Sequence, residues 1–243
     1  AVLRDLNGSI GWVEAAKLNS TDTLLHIPEV VPGGKTTLPS YQYPKPKYST
    51  TTRDITVPEL DKEIAWLIGY LHGDGYIYRK DDTYGEVTFA CAPDMPETAK
   101  RLKRILERFK VYAKIVSYRG DRTIRVRAKS NQLANYLYQF KQPKTSLNTP
   151  SFILEGRAEI RAAYIAGIFD SDGSVKYKKE KKVRPIVASS IYPDWLKQLR
   201  SVLSSLGISA AIKLNRPAKN EWKPLYHLNL ISIESFLNFS GLV

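Results

Sequence analysis

The chain has 243 residues and 43% apolar side chains, enough for one large or two smaller cores. Its net charge of +13, from 37 Lys/Arg against 24 Asp/Glu, points to a polyanionic partner. A single cysteine, Cys91, excludes an internal disulfide and a cysteine-based zinc site. No signal peptide or membrane-spanning run is visible, so an intracellular, cytoplasmic location with no membrane partner is expected.

Residues 1–30 stand apart from the repeat that dominates the chain. Residues 31–57, rich in Pro, Gly, Thr and Tyr, predict an extended linker, whose Lys35, Lys45, Lys47 and Arg53 could lie against phosphates. A helix is expected after Pro58, with Glu59, Asp61 and Glu63 in its opening turn, where the macrodipole favours negative charge. It runs through Trp66-Leu67-Ile68-Gly69-Tyr70-Leu71-His72-Gly73-Asp74-Gly75. Strands are predicted at 76–80 and 86–92, and a helix at 96–109 from the spacing of Ala99, Leu102, Ile105, Leu106 and Phe109. Strands at 113–118 and 123–129 and a helix at 131–140 follow.

The pattern then restarts. Tyr164-Ile165-Ala166-Gly167-Ile168-Phe169-Asp170-Ser171-Asp172-Gly173 repeats the first helix, and strands are expected at 174–179, 183–190, 210–215 and 225–231, with helices at 193–206 and 233–239. Asp74 stands 37 positions before Val111, and Asp172 stands 36 before Ile208. The fold class is therefore α+β, built from two αββαββα repeats over 58–147 and 148–243.

Gly69 and Gly73, like Gly167 and Ser171, lie one helical turn apart, and small residues at that spacing let two backbones approach closely. Gly75 and Gly173 are expected in the left-handed position that often ends a helix. Asp74 and Asp172 then sit at the negative ends of their helices, and two such carboxylates side by side need a proton or a divalent cation. Oxygen-only ligands select Mg²⁺, with Mn²⁺ or Ca²⁺ as substitutes for binding. Carboxylates, Mg²⁺ and phosphate oxygens together form the arrangement used for phosphodiester hydrolysis. The three histidines, His26, His72 and His227, show no ligand spacing and read as structural.

The charge repeats with the motif. Residues 76–129 carry 14 Lys/Arg against 7 Asp/Glu, and residues 174–232 carry 12 against 3, while the rest of the chain is slightly acidic. Strand alternation puts Thr123, Arg125, Arg127 and Lys129 on one side and Ile124, Val126 and Ala128 on the other. Tyr76, Tyr78 and Lys80, and later Lys176 and Lys178, follow the same rule. With Arg119, Arg122, Arg184, Lys213 and Arg216 they are the candidate contacts to double-stranded DNA, whose major groove admits a β-ribbon.

The paired motif resembles the signature of the LAGLIDADG homing endonucleases, in the single-chain form with two motifs. The resemblance covers about residues 58–243. It implies a monomer in which the motif helices pack at the centre and a saddle of antiparallel sheets reads the major groove. It also implies a Mg²⁺-dependent cut in both strands of a long, specific DNA site. The last Asp of each motif binds metal in the family, which maps to Asp74 and Asp172, and the preceding carbonyl maps to Gly73 and Ser171. At the sixth motif position an acid is frequent; here His72 fills it in the first copy and Asp170 in the second. A lysine commonly precedes an x-x-Pro element before the second motif, where this chain has Leu147, so Lys144 and Lys176 are the candidates for the catalytic base. A binding protein of the same fold, such as a maturase or a transcription regulator, is the competing reading, and both acids being intact favours the nuclease.

Residues 11–25, including Gly11-Trp12-Val13-Glu14-Ala15-Ala16-Lys17-Leu18, resemble a segment of intein splicing domains and imply an intein-derived endonuclease. With Ala1-Val2 at the start and no closing His-Asn pair, the chain is not expected to splice.

Overall fold

In a computed structural model, the described residues are 2–6, 9–19, 23–24, 34, 37–42, 54–80, 84–117, 120, 122–142, 146–175, 185–219 and 221–241. The chain divides into two compact units, Ala1–Val30 and Val31–Val243. In the first, β1 (Val2–Leu6), β2 (Ser9–Val13) and β3 (Thr23–Leu24) pair antiparallel in the order β2-β1-β3.

The second unit holds both repeats. Helix α1 (Lys62–Asp74) starts where the Asp61 carboxylate accepts from the Ile64 N–H, so Glu59 lies ahead of the helix instead of in its first turn. Next come β4 (Gly75–Lys80), β5 (Tyr84–Cys91), α2 (Pro96–Glu107), β6 (Ala113–Val116), β7 (Ile124–Lys129) and α3 (Asn131–Tyr138). The four strands form an antiparallel sheet in the order β4-β5-β7-β6. After the short α4 (Ser151–Leu154), the second repeat runs through α5 (Ala158–Asp172), β8 (Ile186–Ser190), α6 (Pro193–Ser205), β9 (Ala210–Arg216), β10 (Leu225–Leu230) and α7 (Ile233–Ser240). Its sheet, among the described residues, is three-stranded in the order β8-β10-β9. Of the strand expected at 174–179, the described part makes a single bridge, Ser174 to Ile186.

The two motif helices cross at their glycines. A methyl on Gly69 would fall on the Tyr164 carbonyl oxygen, and one on Gly167 on the Trp66 carbonyl oxygen. Every residue of α1 from Ile64 to His72 is buried, because α5 covers one flank and the first repeat's sheet and helices cover the rest. Each Leu, Ile or Phe so buried contributes about 1.5–3 kcal/mol.

One expectation needs correction. Gly75 (φ −86°, ψ 141°) and Gly173 (φ −71°, ψ 156°) are extended, not left-handed. The chain passes straight out of each helix, and glycine is required because a Cβ would strike Leu71 or Phe169. In the described parts of residues 31–57, Leu38, Tyr41, Ile55 and Val57 pack on the core and the Ile55 N–H donates to Gln132 Oε1 at 2.7 Å, while Lys35, Lys45, Lys47 and Arg53 lie outside the described residues. No helix among the described residues is long and apolar enough to cross a membrane.

Candidate active site

Asp74 and Asp172 are the last residues of α1 and α5, so the glycine crossing delivers both carboxylates to one place. A methyl on Gly73 would overlap Ser171 and lie 3.3 Å from Asp172 Cγ, which seats the second acid directly against the first motif. Ser171 Oγ donates to the Gly167 and Ile168 carbonyls at 3.0 Å each, turning its side chain back onto its own helix.

A third charged group completes the cluster. Lys141, just beyond α3, donates from Nζ to the carbonyls of Leu71 (2.8 Å), His72 (2.8 Å) and Gly73 (2.9 Å). These are carbonyls of the last helical turn, at the negative end of the helix dipole, so a cation is favoured there. Burial depresses the lysine to about 8, against the pull of Asp172 and Asp74 that favours its charged form. Burial and then the neighbouring Asp74 push Asp172 up to about 6, and burial raises Asp74, with Lys141 opposing both. Both carboxylates nonetheless reach solvent, as a cation and a phosphate require.

The donor set fits a hard cation. Two crowded carboxylates and helix-end carbonyls are oxygen ligands, the kind that a hard divalent cation takes. Among the described residues no group of three or more His, Cys, Asp or Glu converges, so water or phosphate oxygens would have to fill the remaining positions.

The first sheet presents the expected face. Register aligns Tyr76 with Thr88, Tyr78 with Glu86, Glu86 with Lys129, and Thr88 with Arg127. Tyr76, Tyr78, Lys80, Arg125, Arg127 and Lys129 therefore share one side, while Ile77, Val87, Phe89, Val126 and Ala128 enter the core on the other. Arg122 is exposed just ahead of β7. Arg127, however, does not stand as a simple cation. It forks onto Glu86 at 2.7 and 2.9 Å, where Tyr84 and Thr88 also donate, and despite its desolvation this set holds Glu86 down to about 2. In the second sheet Lys213 is exposed opposite His227, and Arg216 lies 4.6 Å above the exposed Trp222 ring. Lys144, Lys176, Lys178, Arg119 and Arg184 lie outside the described residues.

Lys141 is the site residue that sequence reading missed. It stands in Lys141-Gln142-Pro143-Lys144, where proximity to the downstream Asn148-Thr149-Pro150 draws attention to Lys144 at the other end of that segment.

Comparison with known proteins agrees with this geometry. The family model of LAGLIDADG-like domains matches residues 61–139 and 159–243. The chain is similar to the homing endonuclease I-ApeI of Aeropyrum pernix, 29% identical over 186 residues, covering 73% of this chain and 80% of that protein. It is also 30% identical over 96 residues, 39% of this chain, to the ribonucleoside-diphosphate reductase NrdEB subunit alpha of Bacillus subtilis, of whose length the match spans 9%. Among solved structures, I-DmoI in complex with DNA and Mn superposes with a TM-score of 0.54 at 19% identity, covering 75% of this chain and 96% of that one. I-WcaI bound to its DNA recognition sequence gives 0.50 at 19% identity, covering 76% and 81%. With one matched segment per repeat, each carrying its Asp-ended helix, the chain belongs to the family of LAGLIDADG-like domains and has the double-motif fold of the homing endonucleases.

Proposed function

We propose that this protein is a site-specific DNA endonuclease that makes a Mg²⁺-dependent double-strand break. The observation that carries the reading is the convergence of Asp74, Asp172 and Lys141 at the ends of two crossing helices. Asp74 and Asp172, with the carbonyls of Gly73 and Ser171, would hold the divalent cations. The chemistry supplied there would be that of a Lewis acid toward water and the scissile phosphate. The protein's own part is positional and electrostatic. The glycine crossing fixes the separation of the two acids, and the Lys141 ammonium adds positive charge where the pentavalent phosphate gathers negative charge. Tyr76, Tyr78, Lys80, Arg125 and Lys129 would lie along the duplex, with Lys213 and Arg216 serving the second half.

Several findings support the choice of partner and metal. I-DmoI has been crystallised with DNA and Mn or Ca, and I-WcaI on its recognition sequence. The segregated basic charge suits a phosphate backbone. Both acids come from one chain, so a monomer suffices. The likeness of residues 11–25 to splicing domains supports an intein origin. The test is incubation with a library of randomised duplexes, with and without Mg²⁺, followed by sequencing of cut ends. Discrete, metal-dependent ends are expected; enrichment of bound sequence with no cut ends would instead identify a binding protein of this fold.

A further inference from the structure

We propose that His72 is a positioning residue that holds Lys141 against the paired acids, making strand cleavage depend on a histidine that contacts neither metal nor DNA. This rests on the endonuclease reading of the site and extends it to a residue outside the reacting centre.

The two copies of the motif differ at this position. Asp170 in the second copy accepts from Trp66 Nε1 at 2.7 Å. His72 in the first is 2% exposed, with Nε2 2.9 Å from the Phe140 carbonyl oxygen and Nδ1 2.7 Å from the Tyr164 hydroxyl. A carbonyl only accepts, so Nε2 carries the proton and Nδ1 accepts from Tyr164. Tyr164 in turn accepts from Trp195 Nε1 at 3.4 Å, and both rings meet the imidazole edge-on at 5.6 and 5.8 Å. The imidazole is thus oriented by α5 and α6 of the second repeat.

What it grips is the residue next to the lysine. Phe140 immediately precedes Lys141, whose ammonium returns to the backbone carbonyl of His72 itself and to those of Leu71 and Gly73. The segment is therefore pinned twice to one helix turn, by a histidine side chain and by a lysine side chain. A lysine has a flexible four-carbon stem, so its ammonium is placed only as well as its backbone is. With Nε2 committed to the Phe140 carbonyl and Nδ1 to the Tyr164 hydroxyl, the ring has no freedom to turn away from the segment.

Two readouts test this. In the metal-free protein, Lys141 is subjected to reductive methylation and followed by mass spectrometry. Methylation should be slow in the wild type and in His72→Gln, whose amide can still donate toward Phe140, and fast in His72→Leu. On a duplex recovered from the library, His72→Leu should slow single-turnover cleavage by about 10–100-fold, the range a displacement near 1 Å produces. Duplex binding in Ca²⁺ should be retained, and His72→Gln should recover most of the rate. Should His72→Leu fail to fold, His72→Asn, whose shorter amide does not reach Phe140, takes its place against His72→Gln. Wild-type methylation and cleavage in a folded His72→Leu or His72→Asn would overturn the proposal, and so would a His72→Gln variant as impaired as either. If Lys141→Met abolishes cleavage in that case, the endonuclease reading survives. If no duplex is cut by the wild type, that reading falls and the methylation result alone decides the role of His72.

Discussion

Gly69→Ala tests the helix crossing that brings the acids together. The added methyl would land on the Tyr164 carbonyl oxygen and about 3.0 Å from the Ile168 backbone nitrogen, both main-chain atoms that cannot swing aside. Relief requires α1 and α5 to separate, and overpacking of this kind costs about 1–3 kcal/mol or more. Alanine recovers up to about 1 kcal/mol of helix propensity over glycine. Because both obstructing atoms are main-chain, the cost falls at about 2–3 kcal/mol and the net loss at about 1–2 kcal/mol, a fall in Tm of about 2–8 °C for a unit of this size. The functional loss should exceed the stability loss. Asp74 is five residues along the same helix, and a shift near 1 Å between Asp74 and Asp172 can cost about 10²-fold in rate. The assay pairs thermal denaturation with single-turnover cleavage, using Gly34→Ala, whose Cβ meets nothing within 4 Å, as the neutral control. A Gly69→Ala protein with wild-type Tm and rate would refute the argument, because it would mean that the helices do not touch where the glycines meet.

Further outcomes follow from the charged groups. Glu86→Gln should lower stability by about 1–2 kcal/mol, since it strips a bidentate partner from the half-buried Arg127. Glu86 is held down to about 2, so its contribution is present above about pH 4.5 and fades as the pH falls toward 2; denaturation of both proteins across that window checks it. Asp172 has the opposite sign. Its pKa is raised from 3.8 to about 6, so the folded protein binds the extra proton between these values and the full cost is felt above pH 6. In EDTA, Asp172→Asn should melt above the wild type at pH 7–8, and the gap should close as the pH falls to 4. Lys141→Met should cut cleavage by about 10²–10⁴-fold while leaving binding in Ca²⁺ intact, as measured by duplex titration.

The site is legible in the sequence where its determinants are local. The Asp-ended helices and their small residues at one-turn spacing are contiguous, and duplication separates them from an ordinary helix stop. Strand alternation likewise assigns Arg125, Val126, Arg127 and Ala128 to opposite faces without reference to neighbours. What escapes is set by chain topology. Lys141 reaches Gly73 only because the segment after α3 returns beneath the end of α1, a contact across 68 positions. The pairing of Glu86 with Arg127 depends on the register of β5 against β7, which alternation leaves undetermined. The extended backbone at Gly75 and Gly173 depends on where the chain goes next, and a glycine needed for close packing looks the same in a sequence as one needed for a left-handed turn.

The central claim, that Asp74 and Asp172 form one divalent-cation site serving both strands, is tested most directly by linearisation of a plasmid carrying the recovered target. The wild type should linearise it in Mg²⁺ and not in EDTA, and Asp74→Asn and Asp172→Asn should each abolish linearisation while still binding the duplex. Metal-dependent linearisation by the double variant would contradict the account.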